Sequence, residues 1–163
     1  MTASVSCQRA PRQHARPASQ LGSIAKASIT HQIDIAVVPA AVLDAVRDYG
    51  ALHTRRMPSA VADTVLEAGA VPPVRIVTFH DGRVLRETIV AVDDERRGLV
   101  WAIDGLPVTH HNGALQVAAA AAGGSSVTWT ADVLPDDLAQ PFGTLMAGGL
   151  AAMKAHLEGS APV

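Results

Sequence analysis

DGRVLRETIVAVDDERR, residues 81–97, stands near the middle of the 163-residue chain. Its first two residues, Asp81 and Gly82, separate two runs that are rich in β-branched side chains. This dipeptide is typical of a two-residue β-hairpin turn, in which both loop positions need positive φ. The register that follows from such a turn pairs His80 with Arg83, Thr78 with Leu85, Ile76 with Glu87, and Val74 with Ile89.

The two faces of this predicted hairpin differ in polarity. One face carries Arg75, Arg86 and Thr88, and sheets rarely bury unpaired arginines. We therefore expect the apolar face to point inward, with Val74, Ile76, Leu85 and Ile89. Glu87 shares that face, so its carboxylate is expected to point into the interior.

Upstream of the hairpin, the pattern predicts a strand, a helix and a second, weaker strand. Apolar and polar residues alternate with a period of two over residues 29–37. Pro39 then opens PAAVLDAVRDY, which predicts a short helix ending near Gly50. Residues 52–58 are expected to form a loop or a second short helix, and residues 61–67 a strand.

Downstream of the hairpin, the chain returns to strands separated by glycine-containing turns. Three strands are predicted, over residues 99–103, 108–118 and 126–134. Alternation assigns four large side chains to the inward faces of these strands: Trp101, His111, Leu115 and Trp129.

The last segment changes to a helical period. Eight residues fall on one helix face: Leu138, Phe142, Leu145, Met146, Gly149, Leu150, Met153 and Leu157. Asp136 and Asp137 are candidate helix caps. Gly143, Gly148 and Gly149 each cost about 1 kcal/mol of helix propensity, which indicates close packing against the sheet or room for a ligand. The sequence predicts an α+β fold of order β-α-α-β6-α, in which an antiparallel sheet of about seven strands wraps around this helix and encloses an apolar pocket.

Composition narrows the class of protein. Four of the 13 basic residues precede the first acidic residue, Asp34, so the remainder is acidic and lacks the basic footprint of a nucleic-acid-binding protein. No apolar run approaches the roughly 18 residues that span a bilayer, so membrane insertion is not expected. The single cysteine, Cys7, excludes an intramolecular disulfide and fits a cytoplasmic location.

Three parts are expected along the chain. Residues 1–27 are rich in Ser, Ala, Arg and Pro and predict a flexible basic tail, although an organellar transit peptide has a similar composition. Residues 28–158 form the ligand-binding domain, and residues 159–163 a C-terminal tail. Either a monomer or a homodimer is compatible with this organisation.

Three motifs resemble one superfamily. In the first, residues 81–97, a turn glycine leads to a strand bearing Glu87 and then to DDERR. The second is VTWTA at residues 127–131, which is followed by an acidic linker. The third is the PAAVL helix at residues 39–43, which ends in DYG at 48–50. They are similar to the SRPBCC superfamily of START and birch-pollen-allergen-like proteins, in its bacterial polyketide cyclase/dehydrase-type branch. The resemblance covers about residues 29–157 and implies the helix-grip fold. It also implies that Glu87 and His111 face the cavity.

Two departures from the family pattern affect the expected site. The chain has Arg56-Met57-Pro58 where many bacterial relatives carry an aromatic-His-Pro sequence, and His110-His111 where an aromatic residue is usual. His111 can act as an acid, a base or a hydrogen-bond partner near neutral pH. Burial disfavours the ionised form of Glu87, which would suit it to proton transfer. An internal hydrogen bond would give either residue a purely structural role instead.

The predicted site therefore contains two candidate catalytic residues, Glu87 and His111, in an apolar cavity. The ligand-contacting residues are expected to be Ile76, Leu85, Ile89, Trp101, Leu115, Trp129, Phe142, Met146, Leu150 and, at the family's usual entrance, His53. No metal site is expected, because His110 and His111 point to opposite faces of a strand. No cofactor is expected, and neither a nucleophile elbow nor a phosphate-binding glycine loop is present.

The resemblance implies binding of a hydrophobic small molecule, polyketide-like or polycyclic. Three functions stay open. The protein could catalyse cyclisation or dehydration of that molecule by acid/base chemistry, or it could be a non-catalytic carrier or sensor of a lipid or small metabolite. A regulatory domain acting through a partner protein is the third, and it requires an exposed apolar patch.

Overall fold

The computed structural model describes residues 28–105 and 107–160. The predicted N-terminal tail and the last three residues of the predicted C-terminal tail lie outside the described residues. Seven strands are present: β1 Ser28–Ile35, β2 Val61–Leu66, β3 Val74–Phe79, β4 Val84–Asp93, β5 Gly98–Asp104, β6 His110–Ala119 and β7 Ser125–Leu134. Two α-helices, α1 Pro39–Arg47 and α2 Ala139–Gly159, accompany one π-helical turn, Leu52–Arg56, and one 3-10 turn, Asp136–Leu138.

The strands form one antiparallel sheet in the order β1-β7-β6-β5-β4-β3-β2. The first strand pairs with the last, and every other strand pairs with its neighbour in sequence. Helix α2 packs against β1, β7 and the π-helical turn, so it lies within the curve of the sheet. This is the helix-grip fold, and the predicted element order and strand number are confirmed.

The core lies between α2 and the concave face of the sheet. The helical stripe supplies Met146, Leu150 and Met153, each 2% exposed or less. Full burial of such side chains stabilises the fold by about 1.5–3 kcal/mol each. Gly149 is also buried, and a β-carbon there would meet the Trp129 ring at 2.9 Å. The helix can therefore approach the sheet closely at this glycine, as its position in the stripe predicts.

The β3–β4 hairpin has a different register from the predicted one. Arg75, rather than Ile76, pairs with Glu87, and Val77 pairs with Leu85. The loop comprises three residues, 80–82, closed by the bond from the Phe79 amide to the Arg83 carbonyl at 2.8 Å, and Gly82 alone adopts positive φ there, at 85°. A one-residue change of register turns a whole strand over. Arg75 and Val77 consequently point inward, and the prediction that Ile76 does so is wrong.

Three smaller differences concern the ends of the helices. Helix α1 stops at Arg47 rather than near Gly50, and Asp136 and Asp137 form the 3-10 turn before α2 without capping it through their side chains. Helix α2 continues to Gly159, one residue into the predicted C-terminal tail.

Within the described part of the chain, no helix has the length and apolar character needed to cross a membrane.

Candidate functional site

The concave face of the sheet, α2 and the π-helical turn enclose a cavity of about 560 Å³. Its wall is mainly apolar, with Leu52, Met57, Val77, Phe79, Ile103, Leu145 and Met153 contributing in addition to the predicted residues. A cavity of this size, lined by apolar groups with few polar ones, is typical of a small-molecule site.

Eight of the predicted site residues line this cavity: Leu85, Glu87, Trp101, His111, Leu115, Trp129, Phe142 and Leu150. Four do not. Ile76 is turned away by the hairpin register, while Ile89 and Met146 are packed in the core at 4% and 0% exposure. His53 lies on the π-helical turn beside Asp63 rather than at the cavity wall, with 3.9 Å between its Nε2 and the carboxylate.

A buried ion pair is the main polar feature of the cavity. Arg75 Nε donates to Glu87 Oε2 at 2.6 Å, and the two side chains are 2% and 8% exposed. Arg75 Nη1 also donates to the Tyr49 carbonyl at 3.2 Å, and the guanidinium lies 5.7 Å from the centroid of the Trp101 ring. Arg75 therefore already neutralises the Glu87 carboxylate and donates a hydrogen bond to it. An internal bond of this kind is the structural alternative to proton transfer that the sequence leaves open for Glu87.

Sequence reasoning missed Arg75 as a site residue because it assumed a two-residue turn. The signal that could have found it is a charge argument: a buried glutamate needs a cation, and a three-residue loop with glycine at its last position places Arg75 opposite Glu87. For Arg56, the sequence shows only a departure from the family pattern and gives no signal that the side chain is buried.

Arg56 is a second buried cation at this cavity. It extends from the π-helical turn, is 3% exposed, and lines the cavity wall. Its Nε has no hydrogen-bond partner in the described part of the chain. Burial and the nearby charge of Arg75 lower the pKa of Arg56 to about 9, so the side chain carries its charge at pH 7 at an energetic cost.

His111 lies in an aromatic cluster of the cavity wall. Its ring centroid lies 5.5 Å from that of Phe142 and 6.4 Å from that of Trp101. Gly113 makes room for this packing, since a β-carbon there would meet both the His111 and Trp101 rings at 2.8 Å. His111 Nδ1 is buried without a hydrogen-bond partner among the described residues. Burial, chiefly, lowers the pKa of His111 to about 4, so the imidazole is neutral at pH 7.

The two candidate catalytic residues line one cavity but do not pair. Glu87 bonds to Arg75, and no hydrogen bond or ion pair joins it to His111 within the described part of the chain. A neutral imidazole with a free nitrogen can accept or donate one hydrogen bond to a ligand. A His111 with a pKa of about 4 is a weak base at neutral pH, because proton transfer is most efficient when the pKa lies near the working pH.

The mouth of the cavity lies at the β3–β4 turn and the first half of α2. His80, Asp81 and Arg83 contribute from the turn, and Pro141 and Gly148 from the helix. Asp81 and Arg83 pair with each other at 2.7 Å. The rim is therefore polar and balanced in charge, in contrast to the interior.

Comparison with known proteins agrees with this architecture. The family model described as polyketide cyclase / dehydrase and lipid transport matches residues 26–160. The chain belongs to this family. The match spans the whole sheet and both α-helices. None of the curated proteins searched matches the sequence significantly.

Solved structures with the same fold come from several sources. The XoxI protein of Bacillus cereus superimposes with a TM-score of 0.70 at 22% identity, covering 83% of this chain and 99% of that one. A Thermobifida fusca protein gives a TM-score of 0.63 at 26% identity, covering 78% and 91%. Ara h 8.0201 gives 0.64 at 19% identity, covering 82% and 98%. These likenesses support the helix-grip fold of this member of the polyketide cyclase / dehydrase family.

The charge arrangement predicts unequal effects for the two members of the ion pair. Glu87→Gln leaves Arg75 and Arg56 as two unmatched buried cations, and it should lower the free energy of unfolding by about 3–5 kcal/mol. Arg75→Met should cost less, because Glu87 then matches the charge of Arg56. Urea unfolding measures both, with Glu67→Gln at the exposed Arg86 pair as a control costing under about 1 kcal/mol. Equal costs for Glu87→Gln and Glu67→Gln would contradict the assignment.

The lowered pKa of His111 predicts a pH-dependent stability. Between about pH 4 and 6.5 the unfolded chain binds a proton at His111 that the folded chain does not bind, so stability falls as the pH drops through this window. His111→Gln should make the fall from pH 7 to pH 4.5 smaller, as measured by urea unfolding at each pH. The control is His110→Gln, an exposed neighbour on the other face, which should retain most of the dependence. An unchanged profile for His111→Gln would refute this burial-driven effect.

Proposed function

We propose that the protein binds an apolar small molecule, polyketide-like or polycyclic, inside the cavity between α2 and the sheet. The observation that carries this proposal is the wall itself, in which two tryptophans and two phenylalanines face a space of about 560 Å³ with only a few polar groups. Aromatic walls favour flat or extended apolar ligands, and sparse polar groups orient them. The family description of cyclase, dehydrase and lipid-transport proteins supports the same ligand class.

Binding without chemistry is the function that the geometry supports best. The Glu87 carboxylate is held by Arg75, and the neutral His111 is a weak base, so neither group is set up for proton transfer at neutral pH. We therefore favour a carrier or sensor. A cytoplasmic location and a monomeric or homodimeric state stay predictions.

A bulky side chain at the cavity mouth should block binding. Gly148 lines the cavity on α2, and a β-carbon there would meet no heavy atom within 4 Å. Gly148→Phe should weaken binding of the neutral fluorophore N-phenyl-1-naphthylamine about tenfold or more without loss of folding, as measured by fluorescence titration and circular dichroism. Ala147→Phe, on the exposed neighbour outside the cavity wall, is the control and should bind the fluorophore normally. Equal binding by both variants would argue against the cavity as the binding site.

Cyclisation or dehydration by acid/base chemistry is the second candidate function. It is favoured by one observation, the buried and unpaired Nδ1 of His111 at the cavity wall. If the protein is an enzyme, His111→Ala and Glu87→Gln should retain binding of the ligand extracted from the purified protein but abolish its turnover. Product analysis by mass spectrometry measures this, with folding of each variant checked by circular dichroism. Normal turnover by both folded variants would exclude these residues as catalysts.

A further inference from the structure

Arg56 forms no ion pair within the described part of the chain, and the two carboxylates that attract it from a distance, Glu87 and Asp48, are already paired with Arg75 and Arg55. None of the ion pairs formed there includes it, whereas its neighbour Arg55 pairs with Asp44 and Asp48 outside the cavity. Its Nε also lacks a hydrogen-bond partner, although the side chain is only 3% exposed. Buried charges in proteins are normally paired, because the desolvation of an isolated ion is strongly unfavourable.

The charges that line the cavity interior do not balance. Arg75 and Glu87 neutralise each other at 2.6 Å, and Asp81 and Arg83 do so at the rim. His111 is neutral at pH 7. In residues 28–105 and 107–160, the interior of the cavity thus retains one positive charge, that of Arg56.

We propose that the ligand of this cavity is an apolar acid whose carboxylate binds the Arg56 guanidinium. This inference rests on the proposed function and adds the chemical class of the ligand. A guanidinium presents a planar fork of donors that matches a carboxylate in two parallel hydrogen bonds. A carboxylate at this position brings the cavity interior to neutrality, and the apolar body of the ligand lies against the aromatic wall.

Trp129 supplies a second donor without a partner. Its indole Nε1 is buried and unpaired among the described residues, and the ring lines the same cavity. Trp129 lies 5.4 Å from Trp101, centroid to centroid, so the donor belongs to the aromatic wall rather than to the ion pair. An oxygen of the ligand outside the carboxylate can accept this bond. The unpaired groups at the cavity therefore include two donors, which favours a ligand rich in acceptors.

Two matched pairs of probes test the inference and distinguish an acyl-chain acid from a ring-system acid. Decanoate and decan-1-ol represent acyl chains, and 2-naphthoate and 2-naphthamide represent ring systems. Calorimetric titration at pH 7.5 into the full-length protein should give at least about tenfold tighter binding of the acid than of the neutral partner in one pair or both. The pair whose acid binds more tightly shows whether the apolar body of the ligand is an acyl chain or a ring system.

Substitution at Arg56 decides whether this residue is responsible. Arg56→Met should weaken binding of the preferred acid about tenfold or more and leave its neutral partner within about threefold, because only the acid loses its counter-charge. Arg56→Lys should restore part of the preference. Arg55→Met removes an equal charge from the same turn outside the cavity and should keep the wild-type preference.

The outcomes distinguish this inference from the proposed function. If N-phenyl-1-naphthylamine binds but neither acid exceeds its neutral partner, or if Arg56→Met weakens acid and neutral partner alike, the assignment of Arg56 is wrong and the cavity remains an apolar binding site. If neither the fluorophore nor any of the four probes binds wild-type protein, the proposed function fails as well.

Discussion

The buried ion pair between Arg75 and Glu87 is the interaction on which the cavity depends. The two residues lie directly opposite each other on β3 and β4, and Arg75 reaches from there to the carbonyl of Tyr49, in the segment after α1. The pair joins the sheet to the segment that leads into the π-helical turn. Because each ion would be costly to bury alone, the local packing of β3, β4 and this segment is constrained to keep them together.

The formation of this ion pair depends on the length of the β3–β4 loop. A three-residue loop with Gly82 at positive φ sets the β3–β4 register, and that register turns Arg75 inward. A two-residue loop would put Ile76 opposite Glu87 in place of Arg75 and remove this ion pair. One residue of loop length therefore decides whether a cation or an apolar side chain faces Glu87 in the cavity.

Much of the fold follows from local patterns, and the site follows only in part. The alternation in β5, β6 and β7 places Trp101, His111 and Trp129 inside, and the helical stripe places Leu150 there, as the structure confirms. Local patterns could not place Arg75, because alternation assigns faces only relative to a register and Asp81-Gly82 fits two loop lengths. They also could not predict that Arg56 is buried, because no periodic pattern extends through the π-helical turn.

The most direct test of the account is native mass spectrometry of the wild-type protein after incubation with decanoate and with 2-naphthoate. We expect one molecule of an acid to bind per chain and the Gly148→Phe variant, whose cavity mouth is filled, to remain unliganded under the same conditions. Wild-type protein that stays unliganded with both acids would contradict the claim that the cavity binds an apolar acid, and equal occupancy in the wild type and in Gly148→Phe would contradict the claim that the acid binds in the cavity.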